Sequence, residues 1–587
     1  MSTDRILEYI EGLSRIEYRL AGSKAEKQAC QFIKKQLTSF GFKEIIESPF
    51  QVYGWYPKSV AVEIVSPVRK KITSALFPYS PSIDVESKLV RLNHLDKEEP
   101  SKREGMVGLA SWGPHLYLSP ARTCFSAQRQ KLGAVLVASP DEGNLRKVVV
   151  TEVGPEMKLP LLSISKEDAD FLSNLMERGE VEIKIVTEVE VDENASSSNL
   201  EVSLEGEELS SHEVFIGAHY DAYFHSAADG GAPAAIVLEL ARLMSEYVKN
   251  GGQLRRTVRF LFFGAEECGG TTYYYWINGS RAYVRANPEI VSRAAVILSL
   301  DSIGYNAQNH IVSTLELEEF ARGLVESIKN PRDVNQYGPP AYGSDHWFFE
   351  ISGVPTIYGV SFPSPLYHTQ KDDIENLDRT SVEFYAEFMK KSIFDIANAE
   401  ILPHDIFTPL QLFESIIMEY RQLPRSPFGL EKVLRRIERI LRERNTFSRM
   451  IRKAAVLPDK SRIEEVNRFI VSTVQHLNRT IGWVWRKPPP MDVSYMSRLE
   501  LIRDYVELNA AISSIRRMPI SNLDRDTVAR YTSLSDNPYD WIDVHGSLAK
   551  LETERSKIFG LVDEEISRLV EVLDDISSGL RRLIDTS

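Results

Sequence analysis

The sequence is poor in cysteine, and this scarcity excludes one way of stabilising a fold. Only Cys30, Cys124 and Cys268 occur among 587 residues, far apart along the chain. An odd and sparse count argues against a disulfide framework and fits a reducing compartment. A chain of this length can bury large apolar cores without covalent cross-links. We therefore expect a cytoplasmic protein.

Two further absences exclude whole classes of partner. The formal net charge is -13 at pH 7, which disfavours non-specific nucleic-acid binding, because such binding requires a basic surface. No apolar run is long enough to span a bilayer, and residues 1–20 lack the apolar core of a signal peptide. We expect no nucleic-acid partner, no membrane partner and no signal peptide.

Common catalytic motifs are missing as well. The sequence has no HExxH, no GxSxG and no glycine-rich phosphate loop, so the chemistries that depend on them have no support. Cys268 has no histidine near it in sequence that would activate a thiol nucleophile. We interpret Cys268 as a small buried residue.

The pattern of apolar residues changes along the chain. A helix is predicted over 24–40, and from about 50 to 191 short β-rich runs are broken by proline and glycine. From about 199 to 399, near-continuous apolar runs alternate with helices, which predicts an α/β fold: a mostly parallel sheet with helices on both faces. After about 403 the pattern is helical and heavily charged, as on the solvated faces of a bundle. The predicted C-terminal helices are 410–420, 430–444, 463–477, 499–515 and 544–583, interrupted at Pro488-Pro489-Pro490.

Polar side chains follow successive strands of the predicted sheet. The run 214–218 ends at His219-Tyr220-Asp221, the run 258–265 at Glu266-Glu267 and the run 295–300 at Asp301, while His368 follows the run 354–360. Asp229 lies in the loop before the next helix. Ligands bind outside the carboxyl ends of strands in open α/β sheets, so we expect these groups to converge at one edge.

The expected cluster suits a pair of metal ions. Imidazole and carboxylate together favour zinc, and Co²⁺ or Mn²⁺ can replace it at carboxylate-rich sites. We predict that Asp229 bridges two ions about 3.5–4 Å apart. One ion would then take His219 and Asp301, and the other Glu267 and His368, which leaves coordination positions open for water and substrate.

Two carboxylates are left over from this ligand assignment. Glu266 is expected to be the general base, which takes a proton from the attacking water and passes it to the leaving amine. Asp221 lies two residues from His219 and is expected to accept the second N–H of that imidazole. Taken singly, such residues have simpler explanations: a solvated Glu-Glu loop, a helix cap at Asp301 or a structural histidine. Their joint placement at consecutive strand ends favours the metal site.

The motifs around these residues resemble a known family. They are Gly217-Ala218-His219-Tyr220-Asp221, Ala228-Asp229-Gly230, Ala265-Glu266-Glu267, Leu300-Asp301-Ser302 and Tyr367-His368-Thr369. In this order they resemble the successive motifs of the co-catalytic zinc aminopeptidases, whose family also includes glutamate carboxypeptidase, the transferrin receptor and the glutaminyl cyclases. The resemblance extends over about 199–385 and, less closely, over 15–45.

The resemblance implies two zinc ions per chain in the ligand roles given above, and it also implies a domain organisation. Residues 1–45 and 196–400 would form a discontinuous peptidase domain, with 46–195 inserted as a protease-associated domain. Residues 401–587 would form a helical domain in the position of a dimerisation bundle, so a homodimer is expected.

Two departures from the family pattern stand out. Gly230 follows the predicted bridge, where the family usually has asparagine or aspartate, and glycine tolerates the unusual backbone of such a turn. The segment 269–278 is a long aromatic insertion after the Glu-Glu pair. It either lines or covers the site or is a packed surface loop, since aromatic residues pack well.

The resulting functional hypothesis is hydrolysis of a peptide substrate by a metallopeptidase, with an aminopeptidase favoured by the resemblance. Three alternatives stay open. One is a carboxypeptidase of the glutamate carboxypeptidase type, one a single-zinc acyltransferase like the glutaminyl cyclases, and one a non-catalytic, receptor-like scaffold.

Overall fold

The computed structural model describes most of the chain and divides it into two compact units. The described residues are 1–92, 103–113, 118–151, 153–209, 211–271, 275–328, 334–338, 340, 342–424, 426–456, 459–482, 498–517 and 544–585. Unit 1 comprises Met1–Ser313, Glu318–Glu350 and Thr356–Ala399. Unit 2 comprises Thr314–Leu317, Ile351–Pro355 and Glu400–Ser587. The proline run predicted to interrupt the C-terminal helices lies outside the described residues.

Unit 1 is built on one mixed sheet. Its strands are β1 (Ile46–Ser66), β2 (Lys70–Ile72), β3 (Ser74–Leu76), β4 (Ile83–Arg91), β5 (Val107–Ser111), β6 (Ala134–Ala138), β7 (Leu161–Ile164), β8 (Glu182–Leu204), β9 (Glu213–His219), β10 (Val258–Phe263), β11 (Ala294–Leu300), β12 (Asn309–Ser313), β13 (Val334–Tyr337) and β14 (Thr356–Ser361). The order across the sheet is β13-β12-β14-β11-β9-β10-β8-β4-β5-β6-β7-β3, with β1 paired to β8 and β2 to β1.

Helices cover this sheet. They are α1 (Thr3–Ser14), α2 (Lys24–Ser39), α3 (Leu118–Arg129), α4 (Lys166–Arg178), α5 (Ala232–Lys249), α6 (Asn278–Ala286), α7 (Pro288–Ser292), α8 (Glu318–Ser327), α9 (His346–Ile351) and α10 (Arg379–Asn398). Strands β14, β11, β9 and β10 run parallel to one another. Every residue of β9 and β11 is buried, as expected for strands covered on both faces. The predicted α/β fold class is confirmed.

A long two-stranded ribbon connects the parallel strands to residues 46–195. β1 and β8 pair antiparallel from Ile46 opposite Glu201 to Ser66 opposite Glu182. β8 also pairs antiparallel with β10 near one end and with β4 near the other. The sequence predicted short strands here and missed the length of both, because their alternating exposed faces give no continuous apolar run.

Unit 2 is helical, as its charged and periodic sequence predicts. Its helices are α11 (Phe407–Gln422), α12 (Leu430–Arg442), α13 (Arg444–Val456), α14 (Lys460–Thr480), α15 (Leu501–Arg517) and α16 (Val544–Asp585). The helix α13 was not predicted, and neither was α1 in unit 1. Among the described residues, no helix combines the length and apolarity needed to cross a bilayer.

Candidate functional site

The predicted site residues meet at the carboxyl ends of the parallel strands. His219 is the last residue of β9, and Asp301 directly follows β11. Glu266 and Glu267 come three and four residues after the end of β10, and His368 lies in the loop after β14. All of these side chains are buried, together with Asp221 and Asp229. Groups distant in sequence therefore share one edge of the sheet, as predicted.

These side chains form two clusters with the chemistry of metal sites. One comprises His219, Asp229 and Asp301, and the other Asp229, Glu267 and His368. In each, the potential ligand atoms lie within 4.8 Å of one another. Nε2 of His219 is 3.4 Å from Asp229 Oδ1 and 3.5 Å from Asp301 Oδ1. Nε2 of His368 is 2.9 Å from Asp229 Oδ2 and 3.0 Å from Glu267 Oε2. The two carboxylate oxygens of Asp229 thus face different histidines.

The loop that carries Asp229 is fixed by a second aspartate. The backbone N–H groups of Ala228 and Asp229 donate to the Asp372 carboxylate over 2.7 and 3.1 Å. Tyr305 donates its hydroxyl to the same carboxylate over 2.7 Å. Gly230 has a φ of +71°, and a Cβ there would lie 3.0 Å from Cε1 of the His219 ring. Glycine at 230 therefore permits both the turn and the close approach of the histidine.

Asp221 has a different main contact from the one predicted. Its carboxylate accepts the backbone N–H groups of Glu266 and Glu267, each over 2.9 Å. Nδ1 of His219 lies 3.2 Å from the Asp221 carbonyl oxygen and 3.6 Å from its carboxylate. The carboxylate therefore positions the Glu-Glu pair, while the backbone carbonyl is the nearer acceptor for the imidazole.

The second histidine is held by the region 46–195. Nδ1 of His368 lies 3.0 Å from the Val148 carbonyl oxygen, and the Val148 N–H donates to the His368 carbonyl over 3.1 Å. Gln370 extends this pairing, because its amide accepts from the Arg146 N–H over 3.0 Å and donates to the Asn144 carbonyl over 2.9 Å. The Tyr367 ring stacks on the imidazole at 3.7 Å between centroids. These contacts fix the orientation of the ring that presents Nε2 to Asp229.

Three residues of the site occupy the left-handed backbone region without being glycine. They are Ala265, just before the Glu-Glu pair, Ser302, just after Asp301, and His368 itself, with φ values of +52°, +48° and +57°. Such conformations cost of order 1–3 kcal/mol each and persist where the surroundings impose them. Here they aim polar side chains at a common centre, which is typical of a functional site.

Burial and mutual charge shift the titration of the site. Burial favours neutral imidazole, but the carboxylates of Asp221, Asp229 and Asp301 raise the pKa of His219 well above its usual value. Against the same effect of burial, Glu267 and Asp229 raise the pKa of His368 to about 10. Burial also raises the pKa of Glu266 well above the usual range of a carboxyl group. Without metal, the surrounding carboxylates therefore favour the protonated form of both imidazoles.

These shifts predict that metal uptake releases protons. A metal ion displaces the proton from each imidazole, because only the neutral ring is a ligand. Both folded-state pKa values are raised, so the protons are held below them and the apparent zinc affinity rises with pH. We expect two or more protons per chain, measured by zinc titration calorimetry in buffers of different ionisation enthalpy. His225→Ala is the control, since His225 contacts Glu17 instead. Proton-neutral uptake would contradict the prediction.

Arg19 is a structural residue whose role the sequence did not reveal. Its guanidinium is fully buried and donates to the carbonyl oxygens of five residues. They are Tyr220 at 2.8 Å, Leu13 at 3.0 Å, His225 at 3.0 Å, Ile16 at 3.1 Å and Ser226 at 3.4 Å. Burial lowers the pKa of Arg19 to about 10, and Asp221 is the largest opposing influence. Arg19 thereby ties the N-terminal segment to the loop that follows His219.

Replacing Arg19 by methionine should destabilise unit 1 strongly. The substitution leaves the five carbonyl groups without their donor, and breaking such a buried network costs about 3–5 kcal/mol. Arg15→Met is the matched control, because exposed Arg15 has Glu11 as its only ion-pair partner among the described residues, and such pairs contribute about 0–1 kcal/mol. Urea denaturation of both variants would test this. Equal midpoints would show that the Arg19 network contributes no more than the exposed pair.

The aromatic insertion 269–278 is packed where the structure describes it. Trp276 is buried, with its ring 5.9 Å from that of Tyr342. A Cβ at Gly154 would lie 2.1 Å from the Tyr275 ring, so that ring rests directly on the backbone of the region 46–195. The Ile277 N–H donates to the Glu266 carbonyl over 2.6 Å. The insertion therefore buttresses the Glu-Glu pair, while residues 272–274 lie outside the described part.

Comparison with known proteins gives matches over the same residues. Residues 199–393 match Peptidase family M28. The chain is 25% identical over 343 residues to aminopeptidase YwaD of Bacillus subtilis (strain 168), which covers 55% of this chain and 69% of that protein. It is 26% identical over 196 residues to the probable glutamate carboxypeptidase LAMP1 of Arabidopsis thaliana, which covers 30% of this chain and 28% of that protein.

Solved structures share the fold. A peptidase M28 precursor from Shewanella amazonensis SB2B aligns with a TM-score of 0.59 at 19% identity, over 68% of this chain and 94% of that chain. BSAP, a zinc aminopeptidase from Bacillus subtilis, aligns with a TM-score of 0.55 at 19% identity, over 68% of this chain and 96% of that chain. At such identities the likeness shows the fold alone.

Proposed function

We propose that this chain is a di-zinc exopeptidase that removes N-terminal residues from peptides, since residues 199–393 match peptidase family M28. The observation that carries the proposal is the shared carboxylate: Asp229 belongs to both candidate metal clusters and presents one oxygen to each histidine. A bridging carboxylate is the arrangement that holds two ions close together. YwaD, an aminopeptidase by name, favours action at the N-terminus.

The donor atoms fit a metal better than they fit one another. Nε2 of His219 and Oε1 of Glu267 are buried, and neither has a hydrogen-bond partner among the described residues. Buried polar atoms are normally satisfied, so unpaired ones at a cluster of ligands support a missing cation. Neutral imidazole and carboxylate are zinc ligands, and the same set also accepts Co²⁺ or Mn²⁺.

The protein's own groups divide the work of hydrolysis. When bound, zinc supplies a Lewis acid that polarises the substrate carbonyl and makes water nucleophilic near neutral pH. Glu266 makes no hydrogen bond to another described residue through its carboxylate and is only 5% exposed. It is therefore free to accept the proton of the attacking water and to deliver it to the leaving amine. Asp221 holds the backbone of Glu266 in place.

Metal content and blocked substrates together test the proposal. The full chain is saturated with zinc, dialysed and analysed for metal, and two ions per chain are expected. It is then assayed on a peptide with a free N-terminus and on the same peptide acetylated there. Cleavage of the free peptide alone supports an aminopeptidase. Absence of any cleavage by the metal-loaded chain would overturn the proposal in favour of a receptor-like scaffold.

A carboxypeptidase is the second candidate, because the chain also resembles LAMP1, a probable glutamate carboxypeptidase by name. Cleavage of the acetylated peptide from its C-terminus would support that alternative. A single zinc per chain with pyroglutamate formed from glutaminyl peptides would indicate a cyclase-like acyltransferase instead.

The organisation of the whole chain is also a proposal. We infer that residues 46–195 form a protease-associated domain and that residues 401–587 mediate a homodimer in the cytoplasm. Sedimentation equilibrium of the full chain and of a chain truncated after residue 400 would test the dimer. A monomeric full chain would contradict it.

A further inference from the structure

Glu26 is a buried carboxylate that the proposed mechanism does not use. It lies in the first turn of α2 and is only 1% exposed. The sequence from Ser23 to Glu26 has the pattern of a capping box, in which the glutamate side chain would accept the N–H of the N-cap residue Ser23. Only half of the box forms, because the Glu26 N–H donates to Ser23 Oγ over 3.0 Å while the Ser23 N–H donates to the Leu20 carbonyl. The Glu26 carboxylate is therefore available for other contacts.

The Glu26 side chain reaches the loop that carries the proposed general base. Its Oε1 accepts the backbone N–H of Ala265 over 3.0 Å and the Ser197 hydroxyl over 2.7 Å. Its Oε2 accepts the Gly22 N–H over 2.6 Å. A Cβ at Gly264 would lie 2.9 Å from Oε1, so the carboxylate lies directly against the backbone of the loop. This one side chain thus joins α2 and β8 to the residue that precedes the base.

The turn that Glu26 contacts has an unfavourable backbone conformation. Ala265 has a φ of +52°, which a residue other than glycine keeps only where the surroundings impose it. Successive backbone N–H groups in turns of this kind form concave sites for an anion. In this loop the anions are the protein's own carboxylates, because Glu26 accepts the first N–H and Asp221 accepts the next two. These contacts hold the turn in the conformation that directs the Glu-Glu pair.

The two carboxylates hold different parts of the Glu-Glu pair. Asp221 accepts the N–H groups of both Glu266 and Glu267, so it acts on the base and on a candidate metal ligand together. Glu26 binds on the other side of Glu266, at the residue before it. The Glu267 carbonyl has a separate donor in the Tyr223 hydroxyl, at 2.8 Å. Loss of the Glu26 contact should therefore disturb Glu266 more than Glu267.

We propose that Glu26 is a positioning residue for the general base and that it acts through the backbone of Ala265. This inference rests on the proposed peptidase function, in which Glu266 accepts the proton of the attacking water. A displacement of about 1 Å can cost a catalytic group about 100-fold in rate. We therefore expect Glu26→Met to lower kcat by about 10- to 100-fold while KM and the zinc content stay near the wild-type values. Glu26→Gln keeps one acceptor oxygen and should show the same effect to a smaller extent.

A double-mutant cycle distinguishes positioning of the base from a general loss of stability. If Glu26 acts through Glu266, Glu26→Met should lower kcat strongly in the wild-type chain and only slightly in the Glu266→Gln chain. Glu239→Met is the matched control, because Glu239 is a fully buried carboxylate of α5 that binds Arg242. It should lower the unfolding temperature without lowering kcat. An equal factor for Glu26→Met in both backgrounds would overturn the inference.

Hydrogen exchange provides a measurement that does not depend on turnover. Glu26→Met leaves the Ala265 N–H without its acceptor, and a hydrogen bond to a charged group is worth about 10- to 100-fold in an equilibrium constant. Exchange of the amides 265–267 in the zinc-loaded chain should become faster by about that factor, and Glu239→Met should leave it unchanged. Such an increase supports the positioning role even if the wild type hydrolyses no peptide, in which case the peptidase proposal alone fails. Unchanged exchange, or unchanged kcat in an active chain, would overturn the inference while the peptidase proposal stands.

Discussion

Replacing Glu266 by glutamine should greatly reduce turnover while leaving the metal centre loaded. The amide has nearly the shape of the carboxyl group but cannot accept the proton of the attacking water, and a general base contributes about 10²- to 10⁴-fold. We therefore expect kcat/KM to fall by that factor. The metal content should stay at the wild-type value, because Glu266 belongs to neither candidate metal cluster. Steady-state kinetics and metal analysis on the same preparation would measure both.

The adjacent residue provides the matched comparison. Glu267→Gln should lose metal as well as activity, because Glu267 belongs to the cluster with Asp229 and His368. Glu319→Gln, at an exposed position of α8, should change neither. Undiminished turnover in Glu266→Gln would falsify the base assignment. Loss of metal in that variant would instead make Glu266 a ligand.

Replacing Asp229 by asparagine should empty both metal positions. Each cluster depends on one oxygen of this carboxylate, so an amide removes the shared negative charge from both. We expect the metal content to fall from about two ions per chain towards none and hydrolysis to fall to background. Asp301→Asn should lose only one ion, because the cluster of Asp229, Glu267 and His368 is left intact.

The difference in metal content between Asp229→Asn and Asp301→Asn distinguishes a carboxylate that bridges two ions from one that binds a single ion. Asp170→Asn, at an exposed position of α4, controls for the loss of an aspartate. Thermal unfolding of the metal-free chains controls for misfolding, since Asp229 also accepts a hydrogen bond from Ser302 over 3.0 Å. If Asp229→Asn retained one ion as firmly as Asp301→Asn does, Asp229 would be a ligand of a single metal and the shared-carboxylate proposal would be wrong.

The sequence was informative where local chemistry and topology agree. A buried run ending in a histidine or an acid places that side chain at the carboxyl edge of a parallel sheet, whatever the rest of the fold does. Five ligand candidates distributed over about 150 residues could therefore be assigned to one site. The role of Gly230 could also be predicted from the sequence, because a tight turn beside a metal ligand requires the positive φ that glycine adopts easily.

Residues whose role depends on hydrogen bonds with backbone groups could not be predicted from the sequence. Asp372 binds two N–H groups of the Asp229 loop, yet in sequence it is one acid in a polar segment. Val148 orients His368 through its carbonyl oxygen, an atom that every residue has, so no residue type could indicate it. The main contact of Asp221 was missed for the same reason, because its carboxylate accepts two peptide N–H groups and not chiefly the imidazole N–H of His219.

The ribbon formed by β1 and β8 has a consequence for how residues 46–195 can move. An accessory module usually joins its host through two flexible connectors, which allow it to swing as a rigid body. Here the entering and leaving strands are hydrogen-bonded to each other along nearly their whole length, and β8 continues into the pairing with β10. Residues 46–195 would therefore move by gradual bending of the twisted ribbon of β1 and β8, and they would not rotate about a hinge. Val148 would then shift against His368 by small increments, so the alignment of that imidazole would vary continuously with elastic deformation and would not switch between open and closed positions.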